Sequence, residues 1–179
     1  ELYRWIEYYK IKFKSRVYTP LNNSEKYTLV LMGRADFGLL GSYNKYKQTP
    51  FETFHVGGDG MTGSYTYATE TIGLRGYDNG ALTPYSDGRA YTRFSMELHF
   101  PFLLQPSSTI YGLAFVEGGN AWTSLENFNP FSLKRSAGVG VRIFLPMIGL
   151  MGIDWAYGFD KVQGEKGGGH FHFILGQEF

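Results

Sequence analysis

The sequence predicts an all-β chain, a transmembrane antiparallel β-barrel, and three observations predict it. Apolar and polar residues alternate with a period of two, in segments of roughly ten residues divided by turn chemistry. Aromatics are abundant, with 14 Tyr and 15 Phe beside 24 Gly, a blend suited to interfacial girdles and tight turns. The connections between segments alternate short and long, as they do in outer-membrane barrels. A mean hydropathy of −0.23 does not count against a membrane, because lumen-facing residues dilute the lipid-facing ones. No apolar run approaches the ~18 to 20 residues that a membrane helix requires.

Each segment carries the pattern in its own way. In the first, Tyr9, Ile11, Phe13 and Val17 oppose Lys10, Lys12, Lys14 and Arg16. In the second, Tyr27, Leu29, Leu31, Ala35 and Phe37 oppose Thr28, Met32, Arg34 and Asp36. The third sets Thr92, Phe94, Met96, Leu98 and Phe100 outward, against Tyr91, Arg93, Ser95, Glu97 and His99. The fourth, Thr109 to Glu117, is weaker, since both of its faces carry apolar residues. In the fifth, Ala137, Val139, Val141, Ile143 and Leu145 alternate with Gly138, Gly140, Arg142 and Phe144. The sixth is the cleanest: Met151, Ile153, Trp155, Tyr157 and Phe159 against Gly152, Asp154, Ala156, Gly158 and Asp160. In the last, Phe171, Phe173, Leu175 and Phe179 oppose His170, His172, Ile174, Gly176 and Glu178. Seven strands result.

A soluble antiparallel sandwich also alternates. Three features weigh against it. Aromatics cluster near strand ends of the apolar face, the opposite face holds several charges per strand, and turn lengths alternate. Turns at Pro20 to Lys26, Leu104 to Ser108 and Pro146 to Gly149 are short, whereas those at 41–90, 118–134 and 160–169 are longer. Seven strands cannot close a bacterial single-chain barrel, which takes an even number from eight upward. Open edges in lipid would leave unpaired backbone groups costing several kcal/mol each. The expectation is therefore that residues 1–179 are the C-terminal part of one barrel domain, that the chain begins mid-barrel, and that earlier strands of the same barrel complete it.

Several function classes drop out. A net charge of +1 gives no electrostatic case for a nucleic-acid partner. The absence of Cys excludes disulfides and thiolate metal sites. No nucleophile elbow, phosphate loop or catalytic triad pattern is present, so no enzymatic activity, cofactor or metal is expected. His170 and His172 have a spacing that can bind a metal, but no third ligand accompanies them and a polar lumen suits them better. Asp154 and Asp160 are expected to solvate the lumen or to pair with Arg142. The sequon Asn22-Asn23-Ser24 falls in a short inner-side turn and carries no role.

Specific motifs then take over from pattern. The long loop at about 41–90 contains Gly57-Gly58-Asp59-Gly60, then Thr71-Ile72-Gly73-Leu74-Arg75-Gly76-Tyr77. Later come Phe115-Val116-Glu117-Gly118-Gly119-Asn120 and Gly138-Val139-Gly140-Val141-Arg142, and the chain ends Phe171-His172-Phe173-Ile174-Leu175-Gly176-Gln177-Glu178-Phe179. Each motif alone is weak; in this order and spacing they are a strong signal. The set resembles the C-terminal barrel of the BamA family of outer-membrane barrel assembly factors, within the wider superfamily of surface-antigen, assembly and translocation barrels. The resemblance covers essentially the whole chain.

That resemblance implies the last seven strands of a sixteen-stranded barrel in the outer membrane of a Gram-negative bacterium, preceded by N-terminal periplasmic domains. It implies a lumenal loop carrying Leu74, Arg75, Gly76 and Tyr77, with Arg75 reaching an acid on the wall at Glu117. The family more often carries Asp there, so the added methylene leaves the pairing geometry open, and an exposed, unpaired loop Arg is the alternative. Phe115, Gly119, Gly138, Gly140 and Arg142 complete the implied wall. Glycine at 138 and 140 would let the loop backbone lie close, or serve barrel curvature. Phe171, Phe173, Gly176 and Phe179 belong to the terminal strand, where Gly176 would allow a kink at a laterally opening seam or serve the sorting signal. The implied function is insertion of β-barrel proteins by seam opening and strand templating, without nucleotide hydrolysis. Unfolded outer-membrane proteins would be the substrates, and accessory lipoproteins and the lipid bilayer the partners. A related barrel that translocates a polypeptide or lipid is the near alternative, and a passive porin or adhesin barrel the distant one.

Overall fold

The structure, a computed structural model, describes residues 7–22, 24, 27–44, 48–61, 69–85, 87–163 and 167–176. Its strands are β1 (Tyr8–Pro20), β2 (Val30–Ser42), β3 (Phe54–Val56), β4 (Glu70–Ile72), β5 (Ala90–Gln105), β6 (Ser108–Trp122), β7 (Lys134–Leu145), β8 (Gly149–Gly158) and β9 (Gly169–Leu175). A single 3₁₀ turn, Leu125–Asn127, interrupts the loop after β6. Among the described residues no helix is long and apolar enough to cross a membrane, which leaves crossing to the strands.

Seven strands form one antiparallel sheet in the order β1-β2-β5-β6-β7-β8-β9. Every neighbour in it is a neighbour in sequence except across β2 to β5, where the long loop intervenes. That is the meander the alternating pattern predicts, with the seven expected strands in place. β2 runs five residues beyond the expected Phe37, because Gly38 to Ser42 continue the ladder opposite Tyr8 to Lys12. The turns at 106–107 and 146–148 are short and the connections 43–89, 123–133 and 159–168 are long.

The two faces of the sheet decide between membrane and water. Phe171 is 69% exposed, Phe173 65%, Ile11 58% and Val139 56%, while Arg75, Asp36 and Asp154 are fully buried. A soluble sandwich would bury the first set and expose the second. The apolar face is instead the outer surface, in numbers that only lipid can cover at no cost. The polar face turns inward onto the loop that connects β2 to β5.

That loop folds back over the inner face and builds its own small structure. β3 and β4 pair in parallel, Phe54 with Glu70 and Val56 with Ile72, a two-stranded element that no sequence period announced. Phe54, Val56, Ile72, Leu74 and Tyr77 pack with Leu40 and Tyr91 of the wall into a buried apolar cluster. The rings of Phe54 and Tyr91 meet edge-on at 4.7 Å. This inner cluster is the nearest thing to a core, and it joins loop to wall.

Outward positions near mid-strand should reject charge. Val139→Arg is expected to weaken folding of the full-length barrel into vesicles by about 2–4 kcal/mol, whereas Lys14→Ala, on the inner side, should change it by less than about 0.5 kcal/mol. Urea-dependent folding into lipid vesicles measures both.

Candidate functional site

The site is built where the loop meets the middle of the wall. Inward residues fall into rows fixed by strand register. One row runs Glu97, Phe115, Gly138, Ala156, His170 across β5 to β9, and the next runs His99, Leu113, Gly140, Asp154, His172. A third places Ser95 beside Glu117 and Ser136. The three rows are successive and each carries one carboxylate, Glu117 on β6, Glu97 on β5 and Asp154 on β8, and one guanidinium from the loop enters between them.

Arg75 is that guanidinium. Its Nε donates to Glu117 Oε1 at 3.1 Å and its Nη2 to the same oxygen at 2.5 Å. Nη1 donates to Asp154 Oδ2 at 3.0 Å, and Nη2 also pairs with Glu97. The backbone N–H of Arg75 donates to Glu117 Oε2 at 3.0 Å, so one carboxylate holds both ends of the residue. The ring of Phe115 lies 3.5 Å beneath the guanidinium carbon, a stacked cation–π contact. Arg142 forks onto Asp154 at 2.5 and 2.7 Å, and His99 Nε2 lies 2.8 Å from Glu97 Oε2. Three carboxylates thus face two guanidiniums, and every charge has a directional partner.

The neighbouring motif residues fix the loop backbone. Gly76 has φ +88° and a Cβ there would lie 2.7 Å from Ser136 Cβ, so glycine is required twice over. Its carbonyl lies 2.4 Å from where a Cβ on Gly158 would stand, and Leu74 approaches Gly119 in the same way at 2.9 Å. The Tyr77 hydroxyl donates to the Arg135 carbonyl at 2.6 Å, and burial pushes that phenol up to about 12, which keeps it a donor. Arg93 Nη1 donates to the Gly73 carbonyl at 2.6 Å while its other nitrogens hold Asp36, shared with Arg34.

The structure therefore brings Arg75, Glu117, Phe115, Gly119 and Arg142 to one place, and adds Glu97, Asp154 and Arg93, which were read from the sequence as inward-facing but given no role toward the loop. Gly138 and Gly140 do something other than admit the loop backbone. A Cβ at 140 would sit 1.8 Å from Asp154 Oδ1, and one at 138 would meet Phe115 Cζ at 2.6 Å. They make room for side chains from flanking strands; the loop backbone comes close at Gly158, and the Leu74 side chain at Gly119. Asp154 and Asp160 are not together, since Asp160 pairs with Arg135 at the surface. His170 and His172 stack at 6.2 Å, each with a ring nitrogen engaged by the loop, and no metal-binding group is found among the described residues. On the last strand Phe171 and Phe173 point outward. Gly176 follows β9 in the left-handed region, φ +72°, with its N–H still donated to Leu150. Phe179 lies outside the described residues.

The Omp85 superfamily domain model matches residues 2–179. The chain belongs to the Omp85 superfamily. Its fold is similar to the crystal structure of BamA from Haemophilus ducreyi lacking POTRA domains 1-3, with a TM-score of 0.66 and 20% identity over 94% of this chain. The chain spans about a third of that one, 35% of its length. As an Omp85 barrel segment, it is an outer-membrane β-barrel chain whose seven-stranded sheet is part of the superfamily's barrel.

The carboxylate cluster makes a sharp demand on Arg75. Arg75→Met leaves three buried carboxylates against one guanidinium and is expected to weaken docking of the loop by about 3–5 kcal/mol. Arg75→Lys should recover little of this, because one ammonium cannot reach three strands as a planar fork does. Protection of the loop from limited proteolysis in the folded barrel measures both.

Proposed function

We propose that this chain is the C-terminal part of an insertase barrel that assembles β-barrel proteins into the outer membrane. The observation that carries the reading is the locked lumenal loop. Arg75 binds carboxylates of β5, β6 and β8 at once, which fixes the loop against the inner face of the wall. A passive porin would gain nothing from a buried cation spanning three strands. An assembly barrel needs a rigid wall beside a strand that can release, and the loop ties β5, β6 and β8 together while β9, among the described residues, has β8 as its one sheet neighbour.

In this mechanism an unfolded substrate strand pairs with the exposed edge at the seam, and the nascent sheet grows into lipid. Backbone groups left unpaired in lipid cost several kcal/mol each, so templated pairing supplies the drive without nucleotide or cofactor. The chain would have no enzymatic activity. Unfolded outer-membrane proteins would be its substrates, with accessory lipoproteins and the earlier strands of the barrel as partners. Translocation of a polypeptide or lipid by a sister barrel uses the same loop; periplasmic domains upstream would separate the two.

The test is insertion of an unfolded outer-membrane protein into vesicles carrying the full-length protein. Arg75→Ala and Glu117→Ala are expected to slow insertion to a similar extent and the double variant little more, because the pair acts as a unit. Additive losses would refute coupling through this pair. No catalysed insertion at all, with a polypeptide passing into the lumen of the vesicle instead, would favour the translocator. Gly176→Val should also slow insertion in a barrel that still folds, since valine resists the left-handed backbone found there.

A further inference from the structure

We infer that His172 is a positioning residue that ties the lumenal loop to the terminal strand, and that a proton on its ring releases the tie. The Gly76 N–H donates to His172 Nε2 at 3.0 Å in a buried setting. An imidazole accepts there only when Nε2 bears a lone pair, so its proton sits on Nδ1 and the ring is neutral. Two further contacts join the same partners. His170 Nδ1 lies 3.2 Å from Asp78 Oδ1, and the Leu175 N–H donates to Met61 Sδ at 3.3 Å. β9 is thus held at His170, His172 and Leu175 by Asp78, Gly76 and Met61 of the loop, and Gly76 is the member held by a buried hydrogen bond directly beside Arg75.

Protonation would place an N–H against the Gly76 N–H and remove the only acceptor that donor has among the described residues. Several charged and titratable groups face His172. Asp154 stands opposite on β8, Glu117 on β6 and Asp59 on the loop, with His170 on its own strand. A charged His172 would add positive charge beside carboxylates that Arg75 already engages, so the same proton cuts the backbone tie next to the Arg75 cluster. The tie holds while the ring is neutral and fails once acid protonates it. His170 makes its own contact with Asp78, and a His172 variant separates the two. The inference rests on the assembly reading only in taking β9 as the strand that must move.

Hydrogen exchange of the loop peptide containing Gly76, in the full-length protein in lipid nanodiscs, tests it at pH 8 and pH 5 after correction for intrinsic exchange rates. The wild type should be protected at pH 8 and exchange roughly tenfold faster at pH 5, the scale of one lost hydrogen bond. His172→Gln keeps an acceptor near the Nε2 position that does not titrate, and should stay protected at both. His172→Phe should be unprotected at both. Wild-type protection in His172→Phe at pH 8, or acid loss in His172→Gln equal to that of the wild type, would overturn the inference. Exchange is read without a substrate, so a failure of insertion activity would leave this result standing.

Discussion

One guanidinium without water organises the interior. A charge as deeply buried as Arg75 is tolerated only where geometry and hydrogen bonding repay desolvation, and the wall does so with carboxylates on three strands. The consequence reaches past the pair. Because Glu97, Glu117 and Asp154 sit on β5, β6 and β8, the loop can dock only if all three strands hold their register. A slip of one residue on any of them would turn its carboxylate into lipid and an apolar side chain onto Arg75. The cluster is therefore a check on the assembled sheet as much as an anchor for the loop.

β7 makes that convergence possible by having almost nothing on its inner face. Ser136, Gly138 and Gly140 are followed by Arg142, and the small residues lie between β6, which brings Phe115, and β8, which brings Asp154. Phe115 leans over Gly138 to reach beneath the guanidinium; Asp154 leans over Gly140 toward it. Glycine in a strand loses packing and entropy, a cost of roughly 0.5–1 kcal/mol each relative to Ala, and here the loss is offset by the charge network it admits. The sequence leaves those glycines open between a close loop backbone and barrel curvature, since a pattern of small residues reveals that something comes close but not from which side.

The strands were legible because lipid outside and charge inside impose a strict period of two, and nothing in the loop competes with it. Even the weak segment held information. Thr109 to Glu117 alternates poorly because Leu113 and Phe115 are apolar on the lumenal side, where Phe115 carries Arg75 and Leu113 packs beside it. An aromatic on a polar face marks where the loop lands. What stayed illegible depends on depth and docking. Glu97 and Asp154 were visible as inward acids, but only the register shows that they and Glu117 occupy three successive inward rows. β3 and β4 are three-residue pieces held by packing against Leu40 and Tyr91, too short for any period to announce.

Charge on the first strand completes the logic of the loop. Lys10 reaches Glu52 at 2.8 Å and Glu70 at 3.0 Å, and Lys12 and Lys14 approach Glu70 at 3.0 and 3.9 Å. The loop thus shows acids to the basic strand β1 and its one buried base to the acidic strands β5, β6 and β8. Turned about, Glu70 would face Glu97 and Glu117 while Arg75 met a row of lysines. The lysine contacts are partly exposed and worth under about 1 kcal/mol each, so they hold little. Their arrangement matches the observed orientation, since the reversed docking would set like charges against each other. Orientation comes from the exposed charges and permanence from the buried ones, which is why a loop of such polar composition can settle in a single pose inside a wet barrel.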